Sequence, residues 1–446
     1  MRKLAVFALI LGFALAAPIH YFKVKGIRGA VVSRPDVDSV SVYIMVRGGS
    51  SYDPAGKEGT ADLLTTMLVK GTEKYDAVKF AEKVETMGSS IDAYTDTDSI
   101  YITGWSLKEY FLPTFELLAD AMLHPAFSPE QLKKEKARLI TSLAQKWDEP
   151  GYLASEMFRS LVLKGTAFGR EETPETVKKI TREDLVRYHK RFFTKRNIFV
   201  VFSGNITPSQ AKEAVKKYLG KMEKGREFPL LPVERQTRST RIYIVNRPGA
   251  PQTQIRIGYI SAGLAVADRV PRTVANYILG GGGFSSRMMK KIRSVEGLTY
   301  GIYSYFSAYG KGGMFVVSTF TKNDTVGRTI KLALEEIKKF RQQGATEEEL
   351  KKAKGYYLGS YALKLETPMD FAYRLLVGEL YGLGKDYLYW EKKQVPRLKL
   401  SQVNLAARKY FREKPVVILC VGPADKIKPQ LEKFGEVKVI QPPEFK

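Results

Sequence analysis

Few side chains in this sequence of 446 residues have both the type and the spacing of a self-sufficient catalyst. The three histidines, His20, His124 and His189, are widely scattered, so no two of them can share a short metal-binding motif. The single cysteine, Cys420, excludes an internal disulfide and a cysteine-based zinc finger. It sits inside the apolar run Val416 to Val421 and is predicted to be a buried strand thiol. No Gly-x-Ser-x-Gly turn is present, and no serine or cysteine partners a histidine locally, which argues against an unrelated hydrolase. The glycine run Gly280 to Gly283 is not followed by Lys-Ser/Thr, so it reads as a turn entering a helix and not as a phosphate cradle.

The elements that must position any site are clearer. Ser128 to Lys136 recurs as Thr346 to Lys354 at an offset of 218 residues, and each copy opens with a capping-box pattern that marks a helix start. Pro150 with Pro368, Phe193 with Phe411 and Gly204 with Gly422 keep the same offset. Arg34-Pro35 and Arg247-Pro248 match at 213, as do the alternating strands Val42, Ile44, Val46 and Ile255, Ile257, Tyr259, so a small length change lies between the two sets. Leu132, Leu139 and Leu143 recur at helical spacing, and Thr207-Pro208-Ser209-Gln210 opens a further helix. The chain is therefore expected to be α+β, with two homologous domains, each a largely antiparallel sheet with helices packed on one face. The expected division is a signal peptide over 1–16, domains over 17–220 and 241–446, and a linker over 221–240 that carries Gly225, Pro229 and Pro232.

Composition narrows the class. At 44% hydrophobic and 27% charged residues the chain can bury a sizeable core, which excludes a disordered polycation. Met1-Arg2-Lys3, the apolar run Leu4 to Leu15 and Ala14-Leu15-Ala16 predict a secretory leader, with the protein periplasmic or otherwise extracytoplasmic, or anchored in the membrane if the leader is retained. Without Arg2 and Lys3 the formal charge falls from +25 to +23 (70 basic against 47 acidic residues). The Lys-rich stretches also carry Glu, and no aromatic-interleaved basic motif is present, so nucleic acid is not an expected partner.

Gly59-Thr60-Ala61-Asp62-Leu63-Leu64-Thr65-Thr66-Met67-Leu68-Val69-Lys70-Gly71-Thr72 resembles the active-site helix of the pitrilysin/insulinase metallopeptidases, which include the mitochondrial processing peptidases. In that family the helix reads G-x-A-H-F-L-E-H-M-x-F-K-G-T, with two histidines binding zinc and a glutamate as general base. By this resemblance the histidine positions hold Asp62 and Thr66, the base position holds Thr65, and the third ligand, a glutamate on a later helix, is replaced by Ser142. Neutral hydroxyls are poor zinc donors, so no zinc is expected in this chain. Gly280 to Arg287 followed by Lys291 to Tyr300 resembles the family's second conserved segment, whose arginine and tyrosine reach the active site; Arg293 and Tyr300 are the matching pair. A guanidinium and a phenol can both donate to a peptide carbonyl and stabilise developing oxyanion charge.

The resemblance implies a zinc-free subunit of an exported heterodimeric peptidase. A homologous partner would carry the zinc, His, His, Glu and the base, and this chain would contribute Arg293, Tyr300 and half of a chamber for peptides or unfolded polypeptides. The competing expectation is a scaffold without proteolysis, like the respiratory core subunits that share the fold. A third, from charge alone, is a binder of anionic polymers.

Overall fold

The computed structural model describes residues 18–233, 237–361, 363–365 and 367–442. The expected leader over 1–16 lies outside the described residues. Two six-stranded sheets are present among the described residues. The first contains β1 (Ile19–Val24), β2 (Ile27–Ser33), β3 (Ser39–Arg47), β4 (Ser90–Thr95), β5 (Ser99–Leu107) and β6 (Ile198–Gly204), in the order β1-β2-β6-β3-β5-β4. The second contains β7 (Arg241–Asn246), β8 (Gln252–Ala262), β9 (Ile302–Tyr309), β10 (Gly312–Lys322), β11 (Val417–Gly422) and β12 (Val437–Ile440), in the order β12-β7-β11-β8-β10-β9. Five strands correspond one to one, which is the predicted repeat in three dimensions. The sixth differs in origin: β1 pairs antiparallel with β2, whereas the C-terminal β12 pairs parallel with β7. Both sheets are largely antiparallel, with β2–β6 and β7–β11 the matching parallel pairs.

The helices used below are α1 (Thr60–Leu68), α2 (Ala77–Thr86), α3 (Phe111–Leu123), α4 (Pro129–Asp148), α5 (Pro150–Val162), α6 (Arg182–Phe192), the wide-turned α7 (Met289–Val295), α8 (Val326–Gln343), α9 (Glu347–Gly359), α10 (Pro368–Leu380) and α11 (Leu400–Tyr410). The length change between offsets 213 and 218 is the sum of neighbouring differences. Strand β10 is two residues longer than β5 and helix α8 five longer than α3, while the loop after α8 is two shorter than the loop after α3, which together give the step of five.

The two compact units do not follow the linear halves. Among the described residues, the first comprises those within 18–140, 175–229 and 360–388; the second comprises those within 141–174, 230–359 and 389–442. Each half thus lends a segment to the unit built on the other half's sheet. Helix α5 packs on β8 and β11, and α10 packs on β3 and β6. The expected division at 221–240 separates the sheets and leaves each of these helices on the far side of the cut.

Burial explains why the lent helices are needed. Strand β6 is buried at every position and β3 at every interior one, so both faces need cover. Beside the helices expected on one face, α10 covers the opposite one: Tyr373 of α10 packs against Tyr101, whose ring also stacks on Tyr94. In the second unit α5 buries Leu153, Ala154, Phe158 and Val162, and each large apolar side chain contributes about 1.5–3 kcal/mol. Arg256 of β8 ties this helix down, donating from Nη2 to the Gly151 carbonyl at 3.0 Å and the Ser155 hydroxyl at 3.1 Å. Gly204 ends β6 at φ +124°, where a Cβ would collide with the Ser39 carbonyl, so the matched glycine has a steric cause. Cys420 is fully buried in β11, as predicted, and burial pushes its thiol up.

Candidate functional site

In the first unit, α1 is entered through Gly59 in the left-handed region, with no side-chain cap of its own. Its first free N–H groups are satisfied from further back. The buried Asp53 carboxylate accepts from Gly59 N at 2.8 Å and Ala61 N at 2.9 Å. Leu63, Leu64, Met67 and Leu68 are buried and fix the helix on its packing face.

The two hydroxyls at the matched zinc-helix positions bond back onto the helix itself. Thr65 Oγ1 donates to the Asp62 carbonyl at 2.8 Å and lies 3.2 Å from Thr95 Oγ1 of β4; Thr65 is 1% exposed. Thr66 Oγ1 donates to the same Asp62 carbonyl at 3.1 Å. Hydroxyls that donate back to a helix carbonyl are a common fate for mid-helix threonine, and the neutral oxygens they leave are weak donors to zinc beside imidazole, thiolate or carboxylate. Ser142 lies on α4 within the second compact unit, whereas Asp62, Thr65 and Thr66 lie in the first. Glu135, the acid of the same stretch of α4, is buried and ion-paired with Lys70 at 3.2 Å and with Arg138 at 3.2 Å. The residues at these four positions therefore do not fit a zinc ion: three are neutral hydroxyls and the two on α1 are engaged by its backbone.

The second unit presents a different picture. The glycine run closes the helical segment before α7, where Gly280 approaches β9 and a Cβ would meet Ser304. Arg287 is a fastener: it grips Glu349 of α9 with Nε and Nη2 at 2.6 and 2.7 Å and reaches the Gly344 carbonyl at 2.8 Å. Burial would raise the Glu349 carboxyl, but the Arg287 bonds and the Thr346 N–H outweigh it and hold it below the usual carboxylate range. After α7 the chain turns at Gly297, and its N–H donates to the Arg293 carbonyl at 3.1 Å. Thr299 is then pinned from both sides, accepting from Gly301 N at 3.1 Å and from Thr319 Oγ1 at 3.1 Å.

This framework sets out a pair of polar groups. The Arg293 guanidinium lies over the ring of Phe284, 4.3 Å from its centroid, and Phe284 is 67% exposed. Tyr300, between buried Thr299 and β9, is 76% exposed. The hydrophobic effect disfavours leaving large aromatic rings in water, yet Phe284, under the Arg293 guanidinium, and Tyr300 are both exposed. Phe284 was not singled out, although it lies in the quoted segment; its signal is an aromatic residue inside a glycine-rich turn.

Known proteins of related sequence and the same fold fall in one family. Residues 28–171 match the model for "Insulinase (Peptidase family M16)", and residues 179–357 match the model for "Peptidase M16 inactive domain". The chain belongs to the M16 family. A Helicobacter pylori protein named as a non-peptidase homolog, YmxG, is 28% identical over 376 residues, covering 81% of this chain and 84% of that protein. A Bacillus subtilis protein named as an uncharacterized zinc protease, also YmxG, is 27% identical over 395 residues, covering 87% and 94%. Among solved structures, an M16 inactive domain from Pseudomonas fluorescens superposes with a TM-score of 0.86 at 23% identity, covering 91% of this chain and 98% of that one. The matched names include an inactive domain and a non-peptidase homolog, which fits an inactive member of the family.

Proposed function

We propose that this M16 chain is the zinc-free subunit of an exported, two-chain peptidase, and that it contributes Arg293 and Tyr300 to a centre whose zinc is carried by a homologous partner. The observation that carries the reading is the contrast between the two motifs. On α1 the hydroxyls are closed onto the helix, while Tyr300 is exposed and the Arg293 guanidinium lies on an exposed ring. In this role the Arg293 guanidinium and the Tyr300 hydroxyl donate hydrogen bonds to the carbonyl oxygen of the scissile peptide. Both strengthen as negative charge builds on that oxygen, and donors fixed beforehand need little reorganisation. Peptides and unfolded segments are the substrates that such a pair suits, since their backbone carbonyls are accessible.

The test is reconstitution. The lone chain is expected to hold no stoichiometric zinc and to cleave no peptide, and the complex with its partner to do both. Chelator-sensitive cleavage by the lone chain, with zinc bound, would overturn the proposal. Within the complex, Arg293→Ala and Tyr300→Phe should leave co-elution unchanged and lower kcat by about 100-fold each. A complex that assembles but cleaves nothing supports instead the scaffold reading.

A further inference from the structure

Away from α1 and α7, helices α2 and α3 of the first unit splay apart around a cavity of about 640 Å³. Tyr75, Met87 and Leu117 give it an apolar lining, and α3 adds Glu116 and Asp120. Asp120 is the unusual group. Its side chain is 5% exposed, neither carboxylate oxygen accepts a hydrogen bond, and the Lys74 ammonium beside it stands 3.4 Å away on a side chain that is 61% exposed. A buried carboxylate without hydrogen bonds is costly. Its position makes the cost greater: it lies in the last turn of α3, where the helix dipole presents its negative end and a cation is favoured.

The cavity already accepts ammonium groups from the chain itself. Besides Lys74 at Asp120, the Lys83 ammonium lies 4.8 Å above the Tyr75 ring, a cation–π arrangement. Glu116, held by the Tyr218 hydroxyl at 3.1 Å, precedes Asp120 by four residues, about 6 Å along the helix. That separation matches the span between the nitrogens of an extended four-carbon diamine, and Leu117 and Met87 line the same cavity to receive its methylenes.

We propose that this cavity binds a linear aliphatic diamine or polyamine, with one ammonium on Asp120, the next on Glu116 and the methylene chain against Leu117 and Met87. The exposed Lys74 holds the Asp120 position in the free protein and swings into solvent when the ligand enters. Titration calorimetry of the full chain with 1,4-diaminobutane should show saturable binding, with 1-aminobutane at least about tenfold weaker for want of the second charged contact. Lys74→Ala should bind the diamine several-fold more tightly, because the competing ammonium is gone. Asp120→Asn should weaken it at least about tenfold. If Asp120→Asn does not fold, Glu116→Gln serves, and should reduce the diamine to the affinity of the monoamine. Absence of saturable binding in both the native chain and Lys74→Ala, equal affinity for the two amines, or an unchanged constant in Asp120→Asn or Glu116→Gln overturns the proposal.

Discussion

At the scale of single residues, the histidines that cannot build a metal motif still leave a mark on stability. His189 of α6 is packed between the rings of Phe127 and Phe193, and its Nε2 lies 2.8 Å from the Met122 carbonyl. A carbonyl only accepts, so Nε2 carries a proton. Burial, outweighing the Met122 carbonyl, holds this imidazole below the ordinary histidine value. The unfolded chain therefore takes up the proton first. The contribution to stability is intact above the unfolded value of about 6.5 and is lost as pH falls through it toward the lower folded value. Urea midpoints measured at about pH 7.5 and 5.5 should fall between the two for the native chain. The fall should be smaller for His189→Gln, and an equal fall in both would remove the assignment.

At the scale of elements, α1 depends on a cap borrowed from outside its own sequence pattern. Asp53→Ala frees the buried N–H groups of Gly59 and Ala61 and should cost about 2 kcal/mol, read as a lower denaturant midpoint at unchanged slope. Asp53→Asn retains an acceptor and should lie between. This cap also shows what was legible in the sequence and what was not. The boxes at Thr181, Thr207 and Thr367 are formed with the residue three positions on, a fixed spacing that a sequence displays. Asp53 acts across a six-residue turn that has no such spacing. The alternation at Val40 to Val46 and Ile255 to Tyr259 located β3 and β8 because one face of each strand packs on helices in the expected manner. It did not reveal the covered second face, since a tyrosine such as Tyr43 suits water as well as packing. In the candidate site, Arg293 and Tyr300 were singled out by their flanking motif. The exposed Phe284 and the Asp120 cavity were not, because exposure and an absent hydrogen bond are properties of three-dimensional packing.

At the scale of the whole molecule, the lent helices tie the stability of each sheet to the other half of the chain. The apolar stripe of α5 announces that it must be buried but does not say against which sheet, and this is why the linear division places it with the wrong unit. Polypeptides 18–229 and 230–446, expressed apart, each lack the helix that covers one face of their sheet. Neither is expected to elute as a folded monomer, and co-expression should restore one cooperative species. Native-like cooperative unfolding of either piece alone would show that the lent helix is dispensable.

The exchange also sets a timetable for synthesis. A ribosome makes the chain from the N-terminus, and the first sheet has all six strands once residue 204 is out, yet α10 reaches only to Leu380 and its unit closes at residue 388 of 446. The first unit therefore cannot complete its core until most of the polypeptide exists. Between residues 204 and 380 the nascent first sheet has its strands but not the helix that covers their second face, and is open to factors that engage incomplete proteins.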